Sequence, residues 1–168
     1  MQGRLSQKKN LPLQSFPNKT WRQEFIRANK LGFKRLEWLI DIENDYKNPL
    51  FSSLGREEII KITNDNGIKI DSLCAHFLIS GGILKNSYNS KFVKEYFYEL
   101  LKVAPIIGVK YISIPFIEDF SLGKKNICQE MEVLLKEVIE KFNINILIES
   151  DLASKELIYF INKINSEK

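Results

Sequence analysis

The sequence contains few of the residues that build disulfide-rich or zinc-binding domains. Among its 168 residues there are two cysteines and one histidine. Cys74 and Cys128 lie far apart in the chain, without the spacing of a metal motif, and two cysteines are too few for a disulfide scaffold. These counts exclude small disulfide-stapled folds and cysteine-based zinc modules. We expect both thiols to be reduced, as is usual in cytoplasmic proteins.

Long apolar runs and blocks of one charge are also missing. No apolar run approaches the roughly 20 residues that span a membrane. The stretch from Met1 to Lys9 lacks the apolar centre of a signal peptide. The net charge is +4, and the lysines are scattered among acids, whereas nucleic-acid-binding proteins usually cluster them. We therefore expect a cytoplasmic domain with no membrane segment and no nucleic-acid partner.

What the sequence does have is a regular alternation of strand-like and helix-like segments. The strand-like segments are 34 to 40 residues apart and end near Leu5, Asp41, His76, Phe116 and Ser150. Strands that alternate with helices at this period are typical of a parallel α/β sheet. The pattern predicts a single domain over residues 1–168, with about five parallel βα units.

Three local signals predict where helices and loops lie. Thr20 to Gln23 fit a capping box, which predicts that the first helix begins near Thr20 and that its hydroxyl caps the helix. Pro105 cannot sit inside a helix without removing a hydrogen bond, so the long helix before it should end or kink there. The pair Gly81-Gly82 predicts a mobile loop.

Polar side chains recur on one face of four successive predicted strands. Because side chains alternate along a strand, one face carries Trp38, Leu73, Ile112, Ile146 and their apolar neighbours. The other face carries Glu37 and Asp41, Ser72 and His76, Ser113, and Glu149. In an open doubly wound sheet helices cover both faces, so one polar face favours a barrel with a central pocket. We predict a partial (β/α) TIM barrel.

A flavodoxin-like domain of five strands, which would bind a flavin or a nucleotide, remains an alternative. That fold requires a phosphate-binding loop after its first strand. Residues 5–20 contain Ser6 and Ser15 but no glycine-rich turn. The barrel is therefore the preferred interpretation.

The polar residues come late in their strands, and parallel barrels build their sites at the carboxyl ends of strands. Asp41, His76 and Glu149 would gather there. Buried carboxylates need a cation, a base or water, and a divalent metal is one such partner. Each residue also has a purely structural interpretation. His76 could be a hydrogen-bonded core residue, and Glu149 could accept N–H bonds from the following helix. Glu37 could bond backbone or an arginine, and Arg4 could be an ordinary exposed residue.

A string of residues near the start of the chain resembles one family of TIM barrels. The string comprises Met1-Gln-Gly-Arg-Leu-Ser, Gln14-Ser-Phe-Pro, Trp21-Arg-x-Glu24-Phe, Leu31-Gly-Phe, and Leu36-Glu-Trp38 with Asp41. It is similar to the sugar phosphate isomerase/epimerase family of the xylose isomerase-like superfamily. The segment from Ile146 to Leu152 resembles the fifth strand of that family. The likeness covers essentially all of this chain and about five-eighths of the family's barrel, so strands six to eight would be absent.

The resemblance implies roles for particular residues. It implies that Glu149 is a metal ligand and part of an acid/base pair, and that His76 lies at a position that holds a substrate or an additional metal. Arg4, Glu37 and Asp41 are further candidate substrate-binding residues. The implied substrate is a carbohydrate or a sugar phosphate. The implied cofactor is a divalent metal (Mn, Mg, Co or Zn) if the full site is assembled, because the family's other ligands lie on the missing strands.

Two hypotheses about activity follow. The chain could be an isomerase or epimerase that works only when a complementing fragment or a second copy supplies the missing strands. It could instead be a non-catalytic truncated barrel or scaffold. The second hypothesis predicts exposed strand edges, which invite self-association.

Overall fold

The computed structural model describes residues 4–6, 15–41, 47–80 and 87–165. Four strands lie in these ranges: β1 (Trp38–Ile40), β2 (Ser72–Ala75), β3 (Tyr111–Phe116) and β4 (Asn145–Ser150). The helices are α1 (Trp21–Lys30), α2 (Ser53–Asn66), α3 (Phe77–Ser80), α4 (Ser87–Val103), α5 (Lys125–Lys141) and α6 (Ser154–Asn165). Short 3₁₀ turns occupy Pro49–Phe51, Ala104–Ile107 and Glu118–Phe120.

The four strands form one parallel sheet in the order in which they occur along the chain, β1-β2-β3-β4. This order is that of a barrel wall. A flavodoxin-like sheet has the order 2-1-3-4-5, with a reversal where the ligand binds. The flavodoxin-like alternative is therefore wrong, and the fold is a partial (β/α) barrel.

Only the end of the first predicted strand lies within the described residues, and it is not a strand there. Residues 4–6 form a bend rather than a strand. The rest of that predicted strand, residues 1–3, lies outside the described residues, and so does the predicted Gly81-Gly82 loop. The other four predicted strands are confirmed at β1 to β4, within a few residues at each end.

Local sequence accounts for most helix ends. The Ser52 hydroxyl accepts the N–H of Gly55 and caps α2, and Gly67 ends α2 in a left-handed conformation with φ of 60°. The long helix α4 ends at Val103 and is followed by the 3₁₀ turn that contains Pro105, as predicted. The prediction that the Thr20 hydroxyl caps α1 is wrong, because the Thr20 side chain makes no hydrogen bond to the start of that helix. Its hydroxyl donates instead to Ser6 Oγ at 2.8 Å.

One face of the sheet packs against the helices and forms the core. The strand residues on this face in β1 to β3, Trp38, Ile40, Leu73, Ala75, Ile112 and Ile114, are at most 1% exposed. Trp38 lies at the centre of an aromatic cluster, with ring centroids 5.0 Å from Phe16 and 5.7 Å from Trp21. Burying these large side chains supplies the main driving force for folding.

None of the helices within the described ranges combines the length and the apolar character that a membrane crossing requires.

Candidate functional site

The strand register places the predicted site residues on the face of the sheet opposite the helices. We call this the inner face. Its middle level is formed by Leu39, Cys74, Ser113 and Leu147, which pair across the four strands. One level toward the carboxyl ends, Pro115 pairs with Glu149. Asp41 and His76 follow β1 and β2 on the same face, because each lies two residues beyond a member of the middle level.

Asp41 is buried and bonded to backbone. Its side chain is 4% exposed, and its Oδ2 accepts the N–H of Phe16 at 2.6 Å. This bond holds the segment that precedes α1 against the end of β1. The structure thus gives Asp41 a positioning role, and the predicted contact between Asp41 and a substrate remains a prediction.

His76 is half-buried next to Asp41, at the carboxyl end of β2. Burial lowers its pKa below the usual value, and the negative charge of Asp41 opposes that shift in part. The imidazole is therefore neutral at pH 7, since its ordinary pKa is already below 7. A neutral imidazole can both donate and accept a hydrogen bond.

Glu37, Cys74 and Glu149 interact electrostatically across the inner face. Burial raises the pKa of Glu37, and the negative charge of Glu149 contributes to the rise, while a hydrogen bond with Ser72 opposes it. The pKa of Cys74 is raised to about 12, mainly by burial and then by the charges of Glu37 and Glu149. Cys74 is therefore a thiol at neutral pH, and a poor nucleophile.

Glu149 is the most accessible of the predicted residues at the carboxyl end. It is exposed, while Pro115, its partner on β3, is buried. Because β4 is the last strand of the described sheet, the side of Glu149 away from β3 is open. A carboxylate at this position can contact a bound molecule while it stays accessible to water, whereas the buried Asp41 carboxylate has lost its contact with water.

Arg4 is exposed in a bend that α1 holds in place. Glu24, only 1% exposed, accepts the backbone N–H groups of Ser6 and Leu5. Arg27 Nη1 donates to Leu5 O at 2.5 Å. These bonds fix where the chain before α1 runs, and so fix the position of Arg4. The signal for Glu24 was present in the sequence, since an acid falls on the apolar stripe of Trp21, Phe25 and Ala28.

Asn48 is a second buried polar residue that the sequence analysis missed. Its Oδ1 accepts Trp38 Nε1 at 3.1 Å and Leu50 N at 3.2 Å, and its Nδ2 donates to Leu39 O at 3.2 Å. Just before the two strands, Lys69 N–H donates to Lys34 O and Lys69 O accepts the N–H of Leu36, so the even-numbered residues that lead into β1 face the β2 side. Leu39 O therefore points away from β2, and Asn48 caps the outer edge of β1. An Asn before Pro49 was the available signal, as a turn initiator.

Comparison with known proteins supports the fold. No protein-family model matches the sequence, and no curated protein matches it either. A solved structure is similar, that of a xylose isomerase-like TIM barrel protein from Mycobacterium smegmatis in complex with magnesium. The TM-score is 0.64 at 13% sequence identity, and the match covers 90% of this chain. At this identity the likeness shows a shared TIM-barrel fold.

The same match covers only 55% of the Mycobacterium smegmatis protein. This chain therefore spans about half of the length of that barrel. TIM barrels have eight strands, and the described sheet has four. Much of the surface that would complete a site at the carboxyl ends is outside these four strands.

The donor groups present on the inner face do not by themselves fit a divalent metal. In the described part of the chain, no three His, Cys, Asp or Glu side chains come together as a possible metal site. Asp41 already accepts a backbone N–H, and Cys74 is protonated at neutral pH. Glu149 alone would hold a divalent ion weakly. The predicted metal site is thus not formed by these residues, and we assign no chemical step to a metal.

Proposed function

We propose that the inner face is part of a sugar isomerase/epimerase site, with a carbohydrate or a sugar phosphate as substrate. The observation that carries this proposal is the exposure of the Glu149 carboxylate at the carboxyl end of β4, on the same face as Asp41 and His76. The fold shared with a xylose isomerase-like barrel supports it, because such barrels place their sites at this end.

In this proposal Glu149 acts as the base. Its carboxylate removes a proton from the carbon next to the substrate carbonyl, which leaves an enediolate, and then returns the proton. Return to the neighbouring carbon, together with movement of the hydroxyl proton from one enediol oxygen to the other, isomerises the sugar. Epimerisation needs a second acid on the opposite side of the enediolate, and that group would come from outside the four strands. A carboxylate placed within hydrogen-bond reach of that proton is suited to this work. The neutral His76 donates a hydrogen bond to a substrate oxygen.

The other predicted residues bind rather than react. Glu37 is exposed at the start of β1 on the inner face and would accept a bond from a sugar hydroxyl, while Arg4 would meet a phosphate or a hydroxyl. Asp41 would act through the backbone that it holds. The ligands that a divalent metal needs in addition to Glu149, and the remaining wall of the pocket, would have to come from outside the four strands.

The test is solvent deuterium exchange. The purified chain is incubated in D₂O with a panel of ketoses and ketose phosphates, with and without Mg²⁺ or Mn²⁺, and deuterium at the carbon next to the carbonyl is followed by NMR. We expect slow exchange that falls at least tenfold in Glu149→Gln and is unchanged in Glu130→Gln, an exposed control on α5.

Two results would decide against this proposal. If no sugar of the panel exchanges deuterium in the presence of either metal, catalysis by this chain is excluded. Saturable sugar binding without exchange, detected by shifts of the His76 ring signals, would indicate a carbohydrate-binding module instead, which is the non-catalytic alternative.

A further inference from the structure

The outer edge of β4 leaves apolar side chains uncovered. Leu147 on the inner face is 45% exposed, and Ile146 and Ile148 on the helix face are half-buried. A groove of about 770 Å³ runs along the helix face of β4. Its walls include Leu135 and Ile139 of α5 and Ile161 and Ile164 of α6. An apolar strand edge of this length is a template for pairing with another strand.

The hydrogen bonds of β4 to β3 determine which backbone groups face outward. The N–H of Asn145 donates to Lys110 O. In a parallel strand the direction of the backbone groups alternates along the chain, so Leu147 and Glu149 also bond toward β3. The N–H and C=O groups of Ile146, Ile148 and Ser150 therefore point to the outer edge.

We propose that β4 of a second copy of this chain pairs antiparallel with this edge, about a two-fold axis at Leu147. Ile146 of one copy then faces Ile148 of the other, and both residues have outward-pointing backbone groups, as a hydrogen-bonded pair requires. The two Leu147 side chains meet at the axis in a non-hydrogen-bonded pair. The isoleucines of each copy lie along the groove of the other.

The sequence of β4 is self-complementary in this register. Asn145 faces Glu149 of the second copy on the inner face, so an amide meets a carboxylate. One N–H of the Asn145 amide donates to Lys110 O at 3.2 Å, and the amide nitrogen has a second N–H for the carboxylate. A two-fold axis at Ile146 would set Asn145 against Leu147, and an axis at Ile148 would set Leu147 against Glu149. Over residues 145–149, only the register centred on Leu147 matches polar with polar and apolar with apolar, and beyond them Ser150 meets Ile144.

The other edge of the described sheet does not offer the same surface. Asn48 Nδ2 already donates a hydrogen bond to Leu39 O on the outer side of β1. In addition, Trp38, Leu39 and Ile40 are all 0% exposed. A second copy that docked head to tail, with its β1 against β4, would have to displace Asn48. Pairing of β4 with β4 displaces no such bond.

A cysteine crosslink tests the register directly. Non-hydrogen-bonded residues opposite each other on antiparallel strands have Cα atoms about 4.5 Å apart, within the range that a disulfide bridges. In a Cys128→Ser background, Leu147→Cys should oxidise to a covalent dimer at least tenfold faster than Val133→Cys. Val133 is the control because it is 66% exposed on α5 and away from the edge.

Sedimentation of the full chain completes the test. We expect a concentration-dependent dimer that Leu147→Lys weakens at least tenfold, because two like charges would meet at the axis, while Leu54→Lys on α2 leaves it unchanged. A monomer at all concentrations, a dimer that survives Leu147→Lys, or equal crosslinking of the two cysteine variants would overturn the proposal. Circular dichroism confirms that each variant is folded.

The pairing and the proposed function both involve the Glu149 carboxylate, which accepts from Asn145 of the second copy in the one and acts as the base in the other, and a single variant separates the two. Glu149→Gln keeps a side-chain acceptor for Asn145 of the second copy and removes the base. We expect this variant to lose deuterium exchange and to remain dimeric, so that failure of one proposal is distinguishable from failure of the other.

Discussion

The two edge strands of the described sheet carry a leucine at the same level of the inner face, in very different surroundings. Leu39 of β1 is 0% exposed, and Leu147 of β4 is 45% exposed. Both strands are apolar and both have one neighbour in the sheet. The difference lies in what surrounds each edge. Strand sequence alone therefore does not determine how far a strand contributes to the core.

Within the described residues, the buried polar side chains lie at the β1 end of the sheet, while surface ion pairs occur at both ends, as with Arg22 and Glu58 between α1 and α2. Around β1, the buried side chains of Glu24, Asp41 and Asn48 bond to backbone groups of the segments beside them. Around β4, the helices are joined by ion pairs at the surface, such as Lys94 with Glu137 at 2.7 Å. Buried hydrogen bonds are costly to lose, whereas surface ion pairs contribute little. We expect the β1 side to be the rigid half of this domain.

The largest expected effect comes from truncating the two leucines separately. Leu39→Ala should lower the free energy of unfolding by about 3 kcal/mol, the usual cost of a cavity in a packed core. Leu147→Ala removes a side chain that is nearly half exposed in the single chain, and should cost about 1 kcal/mol or less when unfolding is measured at concentrations too low for dimerisation. Urea unfolding followed by tryptophan fluorescence measures both, because Trp21 and Trp38 lie in the core. Equal losses would contradict the contrast between the two edges.

The sequence correctly predicted where the strands lie and which of their residues pack against helices. Period and alternation located β1 to β4 and separated Trp38 and Ile112, which pack against helices, from Glu37 and Ser113. These properties are local, since they depend only on spacing along a strand. Sequence could not predict that Leu39 is covered and Leu147 is not, because the covering groups come from distant segments.

The candidate site was predicted only in part for the same reason. Asp41, His76 and Glu149 do lie on one face, as alternation requires. That Asp41 bonds to Phe16 N–H, 25 residues away, depends on a long-range contact that no local pattern records. The buried roles of Glu24 and Asn48 are of the same kind.

A smaller effect is expected from the residue that caps β1. Asn48→Ala should lower the free energy of unfolding by about 2 kcal/mol, because it leaves Trp38 Nε1 and Leu39 O buried without their partners. Asn48→Asp is the matched variant, since it keeps an acceptor for Trp38 and Leu50 and loses the donor to Leu39 O. Asn48→Asp should lower the free energy of unfolding by more than Ser52→Ala, which removes an exposed helix cap. Chemical denaturation checks the order, and an Asn48→Ala loss below 0.5 kcal/mol, roughly the scale of a surface change, would contradict the assigned bonds.

The smallest expected effect concerns the ion pairs on the β4 side, and it appears only as a dependence on pH. Hydrogen bonds from Lys141 and then from Lys94 lower the pKa of Glu137 to about 2. A carboxyl group whose pKa is lowered by folding stabilises the fold above its unfolded value, near 4.3, and loses that contribution as the pH falls toward 2. Because Glu137 lies near the surface, the contribution should be about 1 kcal/mol or less.

Glu137→Gln should therefore unfold with a shallower pH dependence than the natural chain between pH 5 and pH 2, while Glu130→Gln on the same helix should not differ from it. Thermal unfolding at a series of pH values gives both slopes. Added salt should reduce the difference, because exposed charges are screened. A Glu137→Gln curve parallel to that of the natural chain would mean that the bridge from α4 to α5 is too weak to matter in solution. The helices near β4 would then be held mainly by apolar packing, beside the ion pair of Lys163 with Glu132 between α5 and α6.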